Sequence, residues 1–151
     1  MGADYRQLKK FSERLNLLNS KHFRRFIEGV SRELATRLLG KAIPRTPVDT
    51  GTLRRGWTAK THQEAESGAG ETDYVKYANS LPVTKQGDAY VIKIINPVEY
   101  AAYVEFGHRT RTGKGWVEGR FMLTKSEMEL EGELDKIIEE KMLRFFKQLF
   151  K

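Results

Sequence analysis

The stretch of sequence that decides the fold is Thr46-Pro47-Val48-Asp49-Thr50-Gly51-Thr52-Leu53-Arg54-Arg55-Gly56-Trp57. It follows a long helical pattern and precedes the part of the chain with strand-like patterns. Pro47 fixes its φ angle and lacks an N–H group, so it should stop the incoming helix. Asp49 and Thr50 can accept backbone N–H groups, and Gly51 adopts φ values closed to other residues. We therefore predict a tight helix-to-strand corner anchored by the apolar Leu53.

The same segment carries two adjacent arginines, which we expect to form an outward cationic surface. They are Arg54 and Arg55. The segment contains no nucleophile-and-base pair and no set of metal ligands. A structural corner is therefore favoured over a catalytic loop.

The length of 151 residues is that of a single domain with its own core. We expect residues 1–19 to form a helical extension and residues 20–151 to form the core. The chain has no cysteine, which excludes disulfides and thiolate metal sites. It has no apolar run that approaches the roughly 20 residues needed to span a bilayer, and residues 1–6 lack the apolar middle region typical of a signal peptide. We expect no membrane partner and a cytoplasmic origin.

The charge is unevenly distributed along the chain. Lysine and arginine total 27 against 20 acidic residues, a net charge of +7. Such a balance suits either a nucleic acid or an acidic protein as a neighbour. Five acidic residues are concentrated in a late segment, Glu127 to Asp135, whereas the middle of the chain is basic. This asymmetry of charge also suits head-to-tail packing between copies of one chain.

Three segments have helical periodicity. In the first, Asp4 can cap a helix whose apolar positions are Tyr5, Leu8, Phe11, Leu15 and Leu18. The second predicts a helix over 21–42, and the third a helix over 126–150.

The strand signals lie between the two long helices. Segment 57–66 is weakly strand-like, and 73–79 is ambiguous, although its aromatic and β-branched residues favour an extended form. Segment 81–83 is expected at a strand end or a sheet edge because Pro82 cannot donate to a ladder. Residues 86–88 predict a turn, and 89–95 form the clearest strand. Asn96-Pro97 ends that strand.

A short helix over 100–107 is expected next, with its aromatic face against the first long helix and the sheet. Pro97 suits its first turn and Gly107 its end. The following loop, His108 to Gly115, is basic, and we predict it to be polar and flexible. The predicted fold class is α+β: long N-terminal helices, a small curved antiparallel sheet with an inserted short helix, and a long C-terminal helix.

The sequence predicts no catalytic residues, no cofactor and no metal site. Segment 107–115 differs from a phosphate-binding P-loop in spacing and context. The three histidines are scattered, which favours surface positions over a zinc site. Glu99 and Glu105 are an acid–base pair in principle, but salt bridges to basic residues are the preferred interpretation.

Two ordered blocks carry a resemblance to a known family. They are Thr46-Pro47-Val48-Asp49-Thr50-Gly51-Thr52-Leu53-Arg54 and Asn96-Pro97-Val98-Glu99-Tyr100-Ala101-Ala102-Tyr103-Val104-Glu105-Phe106-Gly107. From about Ser20 onwards, the chain resembles the neck or tail-completion proteins of tailed bacteriophages and prophages. It departs from them at Gly119-Arg120-Phe121-Met122-Leu123, where a proline usually precedes the last helix.

The resemblance implies a structural virion protein of the head–tail junction that is not an enzyme. It implies a ring of copies, six by resemblance, that contacts other connector proteins and the tail-tube or tail-terminator proteins. It places the protein in the virion neck or tail, and in the host cytoplasm during assembly. The residues it marks for structure or partner contact are Pro47, Asp49, Thr50, Gly51, Leu53, Arg54, Tyr100, Tyr103, Glu105, Phe106 and Gly107. The loop residues Arg109, Arg111 and Lys114 are implied to lie near DNA in the channel or against an acidic neighbour.

The alternative function is a small basic nucleic-acid-binding module. Its candidate contacts are Arg54, Arg55, Arg109, Arg111 and Lys114. The chain has neither an aromatic–basic strand signature nor a helix-turn-helix pattern, which disfavours this alternative. Salt-sensitive binding of short duplex DNA would support it, whereas ring particles in micrographs would support the structural role.

Overall fold

The computed structural model describes residues 6, 9, 10, 12, 13, 16 and 21–150. The apolar positions predicted for the N-terminal helix, Tyr5 to Leu18, lie outside the described residues. In chain order the elements are α1 (Lys21–Arg45), α2 (Thr52–Gly56), α3 (His62–Ser67), α4 (Tyr74–Ser80), β1 (Thr84–Gln86), β2 (Ala89–Val91), α5 (Ala101–Phe106), β3 (Gly107–Arg109), β4 (Trp116–Glu118) and α6 (Met122–Leu149). The α+β class is confirmed, and the fold is mostly helical.

Helices α1 and α6 are the two longest elements, and they pack against each other in opposite directions. Arg45, at the end of α1, donates a hydrogen bond to Ser126 near the start of α6. At the other end of the pair, the Phe26 and Phe145 rings stack with their centroids 4.5 Å apart. Both helices were predicted; α1 extends to Arg45 and α6 begins four residues earlier than expected.

Ion pairs connect the exposed edges of these two helices. Lys41 Nζ lies 2.9 Å from a carboxylate oxygen of Glu129 and 2.9 Å from one of Glu133. The hydrogen bonds that Lys41 donates to Glu133 and Glu129 raise the pKa of Lys41. Arg45 and Lys41 lower the pKa of Glu129 through hydrogen bonds. Glu33 pairs with Lys141 across the interface.

The core lies at the end of the helix pair where α1 meets the corner. Leu39 and Ala42 of α1 are fully buried, and Trp57 is 3% exposed. The other buried apolar members of this cluster are Ala35, Leu53, Ala59, Ala65, Ala78, Val98 and Met122. Small alanines dominate because α4 packs closely against α1 and α3 packs closely against α2.

The strands form two antiparallel hairpins. β1 pairs with β2 around the predicted turn at Gly87-Asp88, with Lys85 opposite Tyr90. β3 pairs with β4, with His108 opposite Val117. The strand predicted over 89–95 pairs with another strand only at Ala89–Val91 among the described residues, and the chain then runs on to Asn96 outside the ladder.

Two extended segments were predicted wrongly. Most of 57–66 is turn and helix α3, and 73–79 is largely helix α4. Thr61 caps α3 by accepting a hydrogen bond from the Glu64 N–H, and Asp73 caps α4 by accepting from the Val75 and Lys76 N–H groups. Both caps provide the side-chain acceptors that helix starts require, and they outweigh the local strand propensity.

Candidate interaction surface

The corner after α1 is tied together by one buried hydrogen-bond chain. The Thr46 hydroxyl donates to the Ala42 carbonyl at 2.7 Å and accepts from the Trp57 indole N–H at 2.7 Å. Gly51 has a φ of 85°, as predicted, and a β-carbon there would lie 2.7 Å from Arg55 Nη1. The polar groups of the corner therefore hold its shape and leave it with little freedom.

The polar residues of this turn differ in their roles. Thr50 Oγ1 accepts from the Thr52 N–H at 3.4 Å and shares a hydrogen bond with the Thr52 hydroxyl. The exposed Asp49 carboxylate has no hydrogen-bond partner among the described residues, so its predicted acceptor role is not observed. Residues of both sequence blocks line one pocket beside this turn, among them Pro47, Leu53, Tyr100 and Val104.

The prediction that Arg54 and Arg55 form an outward cationic surface is wrong. Both guanidinium groups turn back onto backbone carbonyls. Arg54 donates to the Thr46 carbonyl at 2.9 Å, and Arg55 donates to the Ala65 carbonyl at 2.7 Å. Helix ends and turns leave carbonyls unpaired, and these arginines satisfy them.

The two blocks singled out in the sequence meet directly at Asn96. Its amide donates to the Leu53 carbonyl at 2.9 Å, and its oxygen accepts from the Val98 N–H at 3.2 Å. Gly56 makes this approach feasible, because a β-carbon there would lie 2.2 Å from Asn96 Oδ1. Neither Asn96 nor Gly56 could be assigned this role from the sequence, because their contact joins residues far apart in the chain.

The predicted salt bridge of Glu105 is absent from the described residues, and its carboxylate caps α6 instead. It is 6% exposed and accepts from the Leu123 N–H at 2.9 Å and from the Thr124 N–H at 2.8 Å. The cap residue of α6, Phe121, has a left-handed backbone and offers no side-chain acceptor. A carboxylate at a helix start also interacts favourably with the helix dipole.

Glycines hold the end of α5 against the start of α6. Gly107 has a φ of 85°, and a β-carbon there would lie 2.5 Å from the Val117 carbonyl oxygen. A β-carbon on Gly119 would lie 2.5 Å from the Glu105 carbonyl oxygen. The Arg120 N–H also donates to the Val104 carbonyl at 2.7 Å. We refer to this arrangement, together with the Glu105 cap, as the clamp.

The aromatic face of α5 was predicted to lie against the long first helix and the sheet. This prediction is wrong, because the aromatic side chains face solvent. Tyr103 and Phe106 are each 61% exposed, and Tyr100 is 39% exposed. The face that packs inward carries Ala101, Val104 and the buried Glu105 instead. Because the clamp fixes α5, its outer side is a rigid aromatic surface in contact with solvent, and large exposed apolar patches mark interaction sites.

The segment predicted as a flexible basic loop is an ordered hairpin, β3–β4. Across the turn, the Thr110 N–H donates to the Gly115 carbonyl at 3.0 Å and the Gly113 N–H donates to the Thr110 carbonyl at 2.8 Å. Arg111 and Lys114 are exposed in its turn, and Arg109 is exposed at the adjoining end of β3. Within the part of the chain that the structure describes, none of these three cations has an ion-pair partner.

The described residues offer little for other kinds of chemistry. They contain no cluster of histidine and carboxylate side chains able to hold a metal ion. No described helix combines the length and the apolar character needed to cross a membrane.

Comparison with known proteins gives one family match. No curated protein and no solved structure matches the chain. The family described as "Bacteriophage HK97-gp10, putative tail-component" matches residues 9–107, about two thirds of the chain, and that range contains both sequence blocks. The corner, Asn96 and helix α5 all lie inside the match. The protein therefore belongs to the HK97-gp10-like family of structural components of phage tails.

Proposed function

We propose that the protein acts at the head–tail junction, as a neck or tail-completion protein that assembles into a ring of six copies. In this role it binds other connector proteins and the tail-tube or tail-terminator proteins, first in the host cytoplasm and then in the virion. Membership of a tail-component family supports contacts with other phage structural proteins. The position at the junction follows from the resemblance of the two sequence blocks.

The observation that carries this proposal is the rigid aromatic surface of α5. Tyr103 and Phe106 are more than half exposed on a helix whose backbone is fixed by the clamp. Aromatic side chains are enriched at the centres of protein interfaces, where they bury a large area at low entropic cost. A role in folding does not account for such exposure, whereas a role in docking does.

The test replaces both aromatic residues by serine, Tyr103→Ser with Phe106→Ser, in the phage genome. We expect normal amounts of folded protein but a sharp fall in tailed particles, with heads and tails accumulating separately. Val75→Ser is the matched control, because Val75 is also an exposed apolar residue of a short helix.

Electron micrographs of the purified wild-type protein, alone and with tail tubes, test the ring directly. Rings located at one end of the tube would support the proposal. Normal yields of tailed particles from phage that lack the protein would contradict it.

A further inference from the structure

The outer face of α6 carries a row of unpaired carboxylates. Glu127, Glu131, Asp135 and Glu139 follow one another at four-residue intervals, so they lie along one side of the helix. All four are exposed, and none forms an ion pair within the described ranges. Like charges at this spacing repel, so the row does not serve to stabilise the helix that carries it.

Exposed apolar side chains lie on the same side of α6. Met128 is 67% exposed and stands three residues before Glu131, and Ile138 is 39% exposed and stands three residues after Asp135. We call this combination of the acidic row with Met128 and Ile138 the acidic face. It spans about 18 Å along the helix, from a rise of about 1.5 Å per residue. The face combines negative charge with apolar contact area.

The β3–β4 hairpin has the complementary chemistry. Its turn and the adjoining end of β3 carry the exposed Arg109, Arg111 and Lys114, and Trp116 lies directly across the ladder from Arg109. Trp116 is 56% exposed and Val117 is 44% exposed. The hairpin thus combines positive charge with apolar contact area, on a backbone that turn hydrogen bonds keep in shape.

We propose that the hairpin of one copy binds the acidic face of the next copy, a contact that rests on the ring proposed above. Within one chain, no ion pair joins the two surfaces among the described residues, so both are available to a second copy. Two different surfaces on one chain make a heterologous contact, which is the kind that closes rings. Complementary charge sets the register of such a contact, and the apolar side chains supply buried area.

Duplex DNA is the competing occupant of the hairpin. Phosphates would match Arg109, Arg111 and Lys114, but they give the exposed Trp116 and Val117 no apolar partner. DNA would also leave the acidic face unexplained. A second copy of the chain accounts for both surfaces at once.

Charge reversal on each surface tests the contact. One variant carries Arg109→Glu with Arg111→Glu, and the other carries Glu131→Lys with Asp135→Lys. We expect each to keep its thermal midpoint and to lose the ring when purified alone, as measured by sedimentation or light scattering. The control for the hairpin variant is Lys60→Glu with Lys93→Glu. It makes the same charge change as that variant, at exposed residues outside both surfaces, and should keep the ring.

Mixing the two variants gives the sharper result. In an equal mixture each intact hairpin meets an intact acidic face and each reversed hairpin meets a reversed face, so the mixture should recover a ring in which the two variants alternate. A single chain with all four substitutions has complementary charges again and should recover the ring. Wild-type assembly should weaken as salt rises from about 0.1 M to about 1 M, because the screening length falls from about 10 Å to about 3 Å.

Several outcomes would overturn the contact. If either variant alone forms rings, or if the mixture stays monomeric, these two surfaces do not meet. Such a result would leave the proposed ring of the wild-type protein unaffected. Loss of duplex binding by the hairpin variant with its ring intact would assign the hairpin to DNA. A wild-type protein that forms no ring, with or without tail tubes, would contradict the proposed function as well.

Discussion

The corner and the outer side of α5 use similar residue types for opposite purposes. In the corner, Trp57 is 3% exposed and its indole N–H is bonded to Thr46, while Arg54 and Arg55 turn back onto carbonyls. On the surface around α5 and the hairpin, aromatic side chains and arginines face solvent. The contrast teaches that a strong sequence motif identifies an important segment without saying which of its residues hold the fold.

Replacing each tryptophan in turn tests this contrast with the largest expected effect. Trp57→Ala removes a fully buried ring and should lower the free energy of unfolding by about 3–5 kcal/mol. Trp116→Ala removes a ring that is 56% exposed and should change it by no more than about 0.5 kcal/mol. Denaturant titration followed by circular dichroism measures both. Equal midpoints for the two variants would remove the distinction between the regions.

Loss of the Glu105 cap should have the next largest effect on stability. Glu105→Ala leaves the Leu123 and Thr124 N–H groups without their acceptor and should cost about 1–3 kcal/mol. Glu99→Ala is the control, since Glu99 is exposed on the preceding turn. Hydrogen exchange should also quicken at the first turn of α6 in the Glu105 variant. Unchanged exchange there would show that the carboxylate does not act as a cap.

Glycine-to-alanine substitutions at two positions should change the stability of the fold in opposite directions. Gly51→Ala places a β-carbon at a φ of 85°, beside Arg55, and should cost about 1 kcal/mol or more. Gly132→Ala lies inside α6 with open space around it and should stabilise the fold by up to about 1 kcal/mol. A thermal midpoint that does not fall in Gly51→Ala would show that the corner is not strained, and one that falls in Gly132→Ala would contradict the prediction for α6.

The ion pairs between α1 and α6 should make a smaller, pH-dependent contribution. Lys41 and Arg45 lower the pKa of Glu129 below the ordinary 4.5. Despite the opposing effect of partial burial, Lys141 and Arg37 lower the pKa of Glu33. Carboxylates with lowered pKa values stabilise the folded state above pH 4.5 and lose that contribution as the pH falls further. Glu33→Gln with Glu129→Gln should therefore flatten the loss of stability in acid, and an unchanged slope would contradict this.

The smallest effect on stability is expected on the outer side of α5. Tyr103→Ala with Phe106→Ala removes side chains that are each 61% exposed, so the free energy of unfolding should change by no more than about 0.5 kcal/mol. A loss of several kcal/mol would mean that these rings are buried in solution. Chemical denaturation at low protein concentration, where copies stay apart, is the appropriate measurement.

The long helices, the short helix α5 and the position of the corner could be predicted from the sequence, although the corner leads into helix α2 and not into the predicted strand. Their apolar periodicity and their glycine and proline positions are local signals, and Gly51 has the positive φ that its context indicates. The helices α3 and α4 were missed because residues such as Tyr74 and Val75 favour strands. Their capping residues, Thr61 with Glu64 and Asp73, were the signals that would have identified them.

The interaction surface was harder to predict because it depends on contacts across the chain. The 3.6-residue period shows that α5 has an aromatic side, but it does not show which side meets the core. Ala101 and Val104 were small enough to pack closely, which left Tyr103 and Phe106 outside. The inward turn of Arg54 and Arg55 likewise depends on carbonyls that only the folded chain brings near.

The clamp also has a consequence for how this protein tolerates insertions. Both ends of the β3–β4 hairpin are fixed where Gly107 meets Gly119, so its tip can change in length without moving α5 or α6. Gly113, at the tip, has open space around it. A short peptide inserted there should leave the helical fold intact while it disturbs the proposed contact between neighbouring copies. The same property would let related phages exchange the tip sequence during evolution while the helical scaffold stays the same.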